Sequence, residues 1–383
     1  MFPFQFRMFL RSIFVPSDRM NESTLKRLLL RVFIGITYPF AALHTFIFLC
    51  LDYVFFPGFR NHEVKGPVFV IGNPRSGTTF LHRVLARDEI NFTTTRMWQL
   101  AFPSLTQRAI LTFLGKIDDA LGQPMAKLLE KLQGRVMKGA DKIHKFRFEV
   151  PEEDEGYFVH PWASGFQAMV FPDTAWDYYQ RMDEMPQPER DKLMNYYKNC
   201  LRRHLYADSQ GRRLLSKNPL FVAKMQSVHD YFPGGKIVFV VRNPAEMLAS
   251  VHSLLVAFWR AQGIVIPDGE PRPGILDWSV YCYEHSMQVL DNLPAGSFHI
   301  VRYDDLVRDP RGTVEKMYQA LDIPMTPEYQ KALIEEEAKA KKYRSEHAYA
   351  LEKYGLSHEK VEALVPYIYD RFDFPRHQDK PQP

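Results

Sequence analysis

PVFVIGNPRSGTTFLHRVLA, residues 67–86, decides how this chain folds. Residues 67–72 form a short apolar run rich in β-branched side chains, the composition of a strand buried on both faces of a parallel sheet. Glycine and proline follow, and from Thr79 to Ala86 the apolar residues recur at helical spacing. Strand, glycine-containing turn and helix are the opening βα unit of a doubly wound sheet. Residues 236–241 (KIVFVV) and 244–258 repeat the unit, with Pro244 in the first turn of the second helix. Short runs at 213–216 and 298–303 supply two more parallel strands. The fold class is α/β: a P-loop NTPase-like parallel sheet flanked by helices, with an apolar N-terminal helix before it.

The turn at residues 72–79 has the chemistry of an anion site. Backbone N–H groups at a helix start are unpaired and carry positive partial charge, so an anion is stabilised there. Gly72 and Gly77 let the chain wrap closely, Ser76, Thr78 and Thr79 add hydroxyl donors, and Arg75 adds a planar charged fork. A Walker A loop reads GxxxxGK[ST]; here Thr78 stands where the lysine would be, and the strand at 236–241 leads into Arg242 instead of a magnesium-binding aspartate. Both departures turn the site away from metal-dependent triphosphate chemistry, and no metal site is expected. Arg242 and Ser250, eight residues apart, supply a second anion site behind the second strand.

Together these motifs resemble the PAPS-dependent sulfotransferases, which use 3′-phosphoadenosine 5′-phosphosulfate, and in particular the branch that includes tyrosylprotein sulfotransferases and bacterial relatives. The resemblance spans about residues 67 to 354. It implies that Arg75, Ser76, Gly77, Thr78 and Thr79 hold the 5′-phosphosulfate, and that Arg242 and Ser250 hold the 3′-phosphate. It extends to LSKNP (215–219), where Lys217 would sit over the sulfuryl group, and to VRYDDL (301–306), where Tyr303 would line the nucleotide pocket. Arg75 and Lys217 then carry the charge stabilisation of an in-line transfer.

The base that deprotonates the acceptor is a departure. The tyrosylprotein branch takes a glutamate shortly after the first helix, but TTTRMWQ (93–99) contains no carboxylate. The substitute is PEEDE (151–155), with Glu153 as the choice and Glu152, Asp154 and His160 as competitors; His144 is a further histidine candidate. KKYRSEH (341–347) reads equally as a basic helix end or as a lid whose Lys342 or Ser345 touches the nucleotide.

The 383 residues, 46% hydrophobic and 25% charged, suit one large folded domain with an extra segment. A formal charge of +4, dispersed along the chain, gives no footprint for nucleic acid. Cys50, Cys200 and Cys282 show no CxxC spacing; free thiols are expected, with a Cys200–Cys282 bridge as the alternative. Residues 32–51 carry no formal charge and are long enough to cross a bilayer, with an excess of arginine and lysine before them. Pro39 and His44 near the middle, and the lack of a stem before residue 67, favour lying in the interface as much as spanning. The expected organisation is an N-terminal membrane-associated segment (1–60), a sulfotransferase domain (61–375) and a tail (376–383), the protein being single-pass or monotopic with the side of the catalytic domain open. Residues 264–274 are expected to be a loop. The acceptor expected beside an apolar segment is a small molecule, amphiphilic or lipid-like, with a glycan or peptide as alternatives. The competing readings are a P-loop nucleotide kinase and a membrane-tethered nucleotide-binding protein without catalysis.

Overall fold

Five parallel strands organise the chain in a computed structural model that describes residues 2–15, 21–22, 24–136, 150–172, 181–266, 269, 272–340 and 351–376. The strands are β1 (Val68–Gly72), β2 (Phe92–Thr93), β3 (Arg213–Lys217), β4 (Lys236–Val241) and β5 (Phe298–Arg302), in the spatial order β2-β3-β1-β4-β5. All five residues of β1 are buried. Successive side chains leave a strand on opposite faces, so Phe69 and Ile71 join one hydrophobic core while Val68 and Val70 join the other.

The first strand lies at the centre, paired with β3 on one side and β4 on the other. The order reverses there, and such a reversal opens a crevice beyond the carboxyl ends of the strands. Parallel pairing sends every carboxyl end to the same edge. Gly72 and Lys217 end their strands, and Arg242 and Tyr303 immediately follow theirs. Four residues far apart in sequence therefore reach one rim.

The helix after the loop runs Thr78–Leu85, one residue earlier than the spacing suggested. Strand β2 was not anticipated: two residues at a sheet edge carry too little periodicity to be read. The expected loop at 264–274 is partly structured, because Ile264–Val265 pairs antiparallel with Asn21–Glu22 and a helix begins at Pro273. All three cysteines are free, Cys200 and Cys282 as buried thiols, which removes the alternative of a bridge.

The apolar segment is one helix, Thr24–Phe55, longer than the expected 32–51 and uninterrupted at Pro39. It lies along the domain. Arg27 is 1% exposed and donates to Gln262 Oε1 and to the Val170 carbonyl, 3.0 Å each. Tyr38 donates to the Val159 carbonyl, and Thr45 Oγ1 lies 3.2 Å from His160 Nδ1. Near its end the buried Asp52 carboxylate accepts from Ser104, Leu105 and Thr106, capping the helix Leu105–Ala120 from outside. The same carboxylate pairs with buried Arg203 at 2.7 Å.

Candidate active site

The loop after β1 is tight because its residues have little room for anything else. A Cβ on Gly72 would collide with the Val240 carbonyl and Ser76 Oγ, and one on Gly77 would enter the Tyr303 ring. Gly77 has φ 96°, the left-handed conformation that suits glycine, and it precedes the helix Thr78–Leu85 as its N-cap. Arg75 also adopts positive φ, 71°, which turns its carbonyl and side chain toward β4.

Arg75 and the Arg242–Ser250 pair meet directly. Arg75 Nε donates to Ser250 Oγ at 3.0 Å, and Arg242 Nη1 donates to the Arg75 carbonyl at 3.0 Å. The Arg242 guanidinium stacks 4.5 Å from the centroid of Tyr303, whose ring covers Gly77. Glu246, in the first turn of the helix Pro244–Ala261, pairs with Arg242 at 3.0 Å. Tyr283 donates to the Arg242 carbonyl at 2.8 Å. Two cations, a buried serine and an open-edged aromatic ring thus share one cluster beside the glycine loop.

Across β1 stands the other half of the site. Lys217 is 1% exposed at the end of β3, and its Nζ lies 2.8 Å from Glu153 Oε1. Glu153 reaches it because residues 151–152 are pinned to the stretch that follows β2. Pro151 bridges antiparallel to Arg96, and Glu152 N–H donates to the Thr95 carbonyl at 2.9 Å. The carboxylate-free segment 93–99 is therefore the scaffold on which the acidic run is laid.

Its neighbours face elsewhere. Glu155 is fully buried, gripped by Lys224 at 2.7 and 3.0 Å and by Asn218 at 2.9 Å. Asp154 is also fully buried, accepts from Tyr197, and has its carboxyl pushed up to about 6, chiefly by burial. Glu152 is buried too. His160 has one ring nitrogen 2.7 Å from the Leu100 carbonyl and the other on Thr45, with burial lowering its pKa. Of the candidate bases, the structure brings Glu153 to Lys217; His144, Lys342 and Ser345 lie outside the described residues.

Asn73 and His82 were not among the site residues expected from the sequence. Asn73 is 2% exposed, and among the described residues neither end of its side-chain amide has a hydrogen-bond partner. Ser76 Oγ is equally buried and unpartnered there. Buried polar atoms are almost always satisfied, so this pair marks a place for a polar ligand. The position of Asn73 directly after a wholly apolar strand was the available signal. His82, on the helix behind the loop, was passed over as well; burial, reinforced by Lys217, pushes its pKa down to about 3.

A parallel sheet thus carries at one edge a glycine-bounded loop, an arginine–serine contact and a lysine–carboxylate pair, the parts of a group-transfer site. Residues 67–327 match the Sulfotransferase family, and the chain belongs to it. That family uses PAPS as its donor, and the chain is a sulfotransferase. It is 26% identical over 329 residues to the omega-hydroxy-beta-dihydromenaquinone-9 sulfotransferase Stf3 of Mycobacterium bovis, covering 82% of this chain and 77% of the relative. The Stf3 of Mycobacterium tuberculosis matches to the same extent. Sulfotransferase STF9 from Mycobacterium avium shares the fold with a TM-score of 0.74 at 19% identity, covering 96% of this chain and 90% of that one. STF1 from Mycobacterium tuberculosis H37Rv does so with a TM-score of 0.68 at 19% identity, covering 93% and 89%.

Proposed function

We propose that this protein transfers a sulfuryl group from PAPS to a hydroxyl of an amphiphilic, lipid-like acceptor by in-line displacement. The observation that carries the reading is the convergence at one sheet edge of Arg75, Ser250 and Arg242 on one side of the loop and Lys217 with Glu153 on the other. The residues fit the donor. Gly72 and Gly77 leave a cradle that a Cβ would fill, and Ser76 and Asn73 offer buried polar atoms without internal partners among the described residues.

In this reading Ser76, Gly77, Thr78 and Thr79 hold the 5′-phosphosulfate at the start of the helix, where the first backbone N–H groups have no partner within the helix. Arg242 and Ser250 hold the 3′-phosphate, with Tyr303 beside the nucleotide. When bound, PAPS supplies the sulfuryl group and leaves as the 3′,5′-bisphosphate. Glu153 takes the proton of the acceptor hydroxyl. Lys217, already paired to Glu153, balances charge on the transferring group, and Arg75 stabilises the charge that grows on the departing phosphate. Removing one such fixed donor lowers the rate by on the order of 100-fold or more.

Support for a lipid-like acceptor comes from two directions: the exposed apolar helix beside the domain, and the Stf3 relative, whose name specifies a hydroxylated menaquinone derivative. The mycobacterial relatives favour the bacterial side of the branch; the tyrosylprotein side rests on the sequence motifs alone. The same helix supports membrane association. Thermal shift with adenosine 3′,5′-bisphosphate against magnesium ATP, followed by sulfur-35 transfer to hydroxylated isoprenoids, glycans and tyrosine peptides, tests the proposal. Preference for the bisphosphate and transfer to the isoprenoids are expected. Preference for ATP, or transfer confined to sugars or peptides, would overturn it.

A further inference from the structure

The helix Thr24–Phe55 presents two different faces. One is fastened to the domain through Arg27, Tyr38, Thr45, Leu49 and Asp52. The other carries Leu29, Phe33, Ile36, Phe40, Leu43 and Ile47, spaced four and three residues apart and each at least 46% exposed. Only 17% of the apolar window is buried. The polar attachments at Arg27 and Asp52 are 25 residues apart, about 38 Å of helix. A helix tied to a globular domain over that length cannot cross a bilayer without dragging the domain's buried charges, Arg203 among them, into hydrocarbon.

A second apolar surface begins where this helix ends. The helix Leu105–Ala120 is buried only through its first turn, which Asp52 caps, and the rest projects outward. Phe113, Leu114, Ile117 and Leu121 are exposed along one side, and Met125 and Leu128 continue the apolar surface on the following helix, Pro124–Val136. The turn between them is constructed: Gly122 and Gln123 have positive φ, and the Asp118 carboxylate accepts from the N–H groups of Met125 and Ala126 at 2.7 and 2.9 Å. A capped hairpin that offers its apolar sides outward has a partner to meet.

We infer that the long helix and this hairpin together form a monotopic docking surface that lies in the plane of a bilayer and opens the active site toward it; the inference rests on the lipid-like acceptor proposed above. Charge patterning favours a bilayer over a second copy of the chain. A paired helical seam is normally flanked by charged residues, whereas residues 32–51 carry none on any side. Thr37, on the outer side, returns its hydroxyl to the Phe33 carbonyl at 2.7 Å, as suits an environment without water. Basic residues gather at the margins: Arg7, Arg11 and Lys26 beside the start of the long helix, and Lys116, Lys127 and Lys131 on the hairpin are exposed, matching anionic headgroups.

The connection to the site is topological. The hairpin belongs to the insertion between Arg96 and Pro151, and those two residues pair in the bridge that sets Glu153 against Lys217. Pro151, at the far end of that insertion, stands two residues before the carboxylate assigned to the acceptor. An amphiphile could present its hydroxyl there while its tail stays in the leaflet.

Flotation of the full chain with vesicles of phosphatidylcholine, alone and mixed with phosphatidylglycerol, tests the surface. Binding is expected to be stronger with phosphatidylglycerol. It should weaken about tenfold or more in a variant carrying Phe113→Glu with Ile117→Glu, and likewise in one carrying Phe33→Glu with Phe40→Glu. All four side chains are exposed, so both variants should keep wild-type thermal stabilisation by adenosine 3′,5′-bisphosphate. A fluorophore on the native exposed Cys50, or on cysteines replacing Leu29 or Phe40, should be quenched at one shallow depth by spin-labelled lipids. Undiminished flotation of the variants, a depth profile deepest at Phe40, or a dimer in solution that covers these side chains would overturn the inference. Vesicle binding needs no donor or acceptor, so normal flotation without lipid sulfation would count against the proposed function alone.

Discussion

Glutamine in place of Glu153 keeps the side chain's size and one hydrogen-bond acceptor while deleting its charge and basicity. Glu153 Oε1 lies 2.8 Å from a lysine that is 1% exposed, and the carboxylate itself is only 17% exposed. At that distance the gross attraction in an effective dielectric of about 20 is roughly 6 kcal/mol. Desolvation offsets much of this, and the amide still accepts from Lys217, so E153Q should lose about 1–3 kcal/mol of stability. Catalysis should suffer far more. Loss of a positioned base lowers kcat by about 100- to 10,000-fold. Binding of adenosine 3′,5′-bisphosphate should move the opposite way, holding or tightening, because Lys217 is released from a neutralising carboxylate and faces an anion. Sulfur-35 transfer gives kcat, and calorimetric titration gives the bisphosphate affinity. A wild-type kcat would remove Glu153 from the reaction. Parallel losses of rate and affinity would mean that it only shapes the pocket.

Arg75→Ala should cost transfer about 100-fold or more while bisphosphate affinity falls less, because Arg242 and the loop N–H groups remain; equal losses would refute a role in stabilising the leaving phosphate. Gly77→Ala forces a Cβ into the Tyr303 ring at φ 96°, so bisphosphate affinity should drop about tenfold or more together with thermal stability, and an unaffected protein would show that the loop readily moves away. Asp52→Asn strands buried Arg203 without its counter-charge and should destabilise the domain by about 3–5 kcal/mol in urea melts; no change would mean that the long helix is not fastened there. Burial holds His82 and His204 down to about 3, so their stabilising contribution is present above the unfolded value of 6.5 and is lost as pH falls below it. Each should contribute up to about 1.4 kcal/mol per pH unit of acidification. Asp154 acts oppositely, since its native form keeps a proton up to about 6 against 3.8 unfolded. Urea midpoints should therefore fall between neutral pH and about pH 5, less steeply in a His82→Gln, His204→Gln double variant; a flat profile would refute the assignment.

The glycine loop, the strands around it and the apolar helix were legible because each is local. A buried β-branched run, Gly72 and Gly77 at the ends of the turn, and twenty uncharged residues announce themselves within a short window. The absent Walker lysine at Thr78 was legible for the same reason, and it turned the reading from ATP toward a sulfuryl donor. Other features depend on distant residues meeting. PEEDE gives no sign of which carboxylate faces the site. That choice follows from the Arg96–Pro151 bridge, which sets Glu153 on Lys217 while Lys224 and Tyr197 occupy its neighbours. The contact between Arg75 and Ser250 spans 175 residues and exists because parallel strands deliver their carboxyl ends to one rim. The apolar helix shows the division most sharply. Its composition announces contact with lipid or core, but spanning and lying flat differ only in where its few polar groups, Arg27 and Asp52, find partners, and tertiary packing alone supplies those partners.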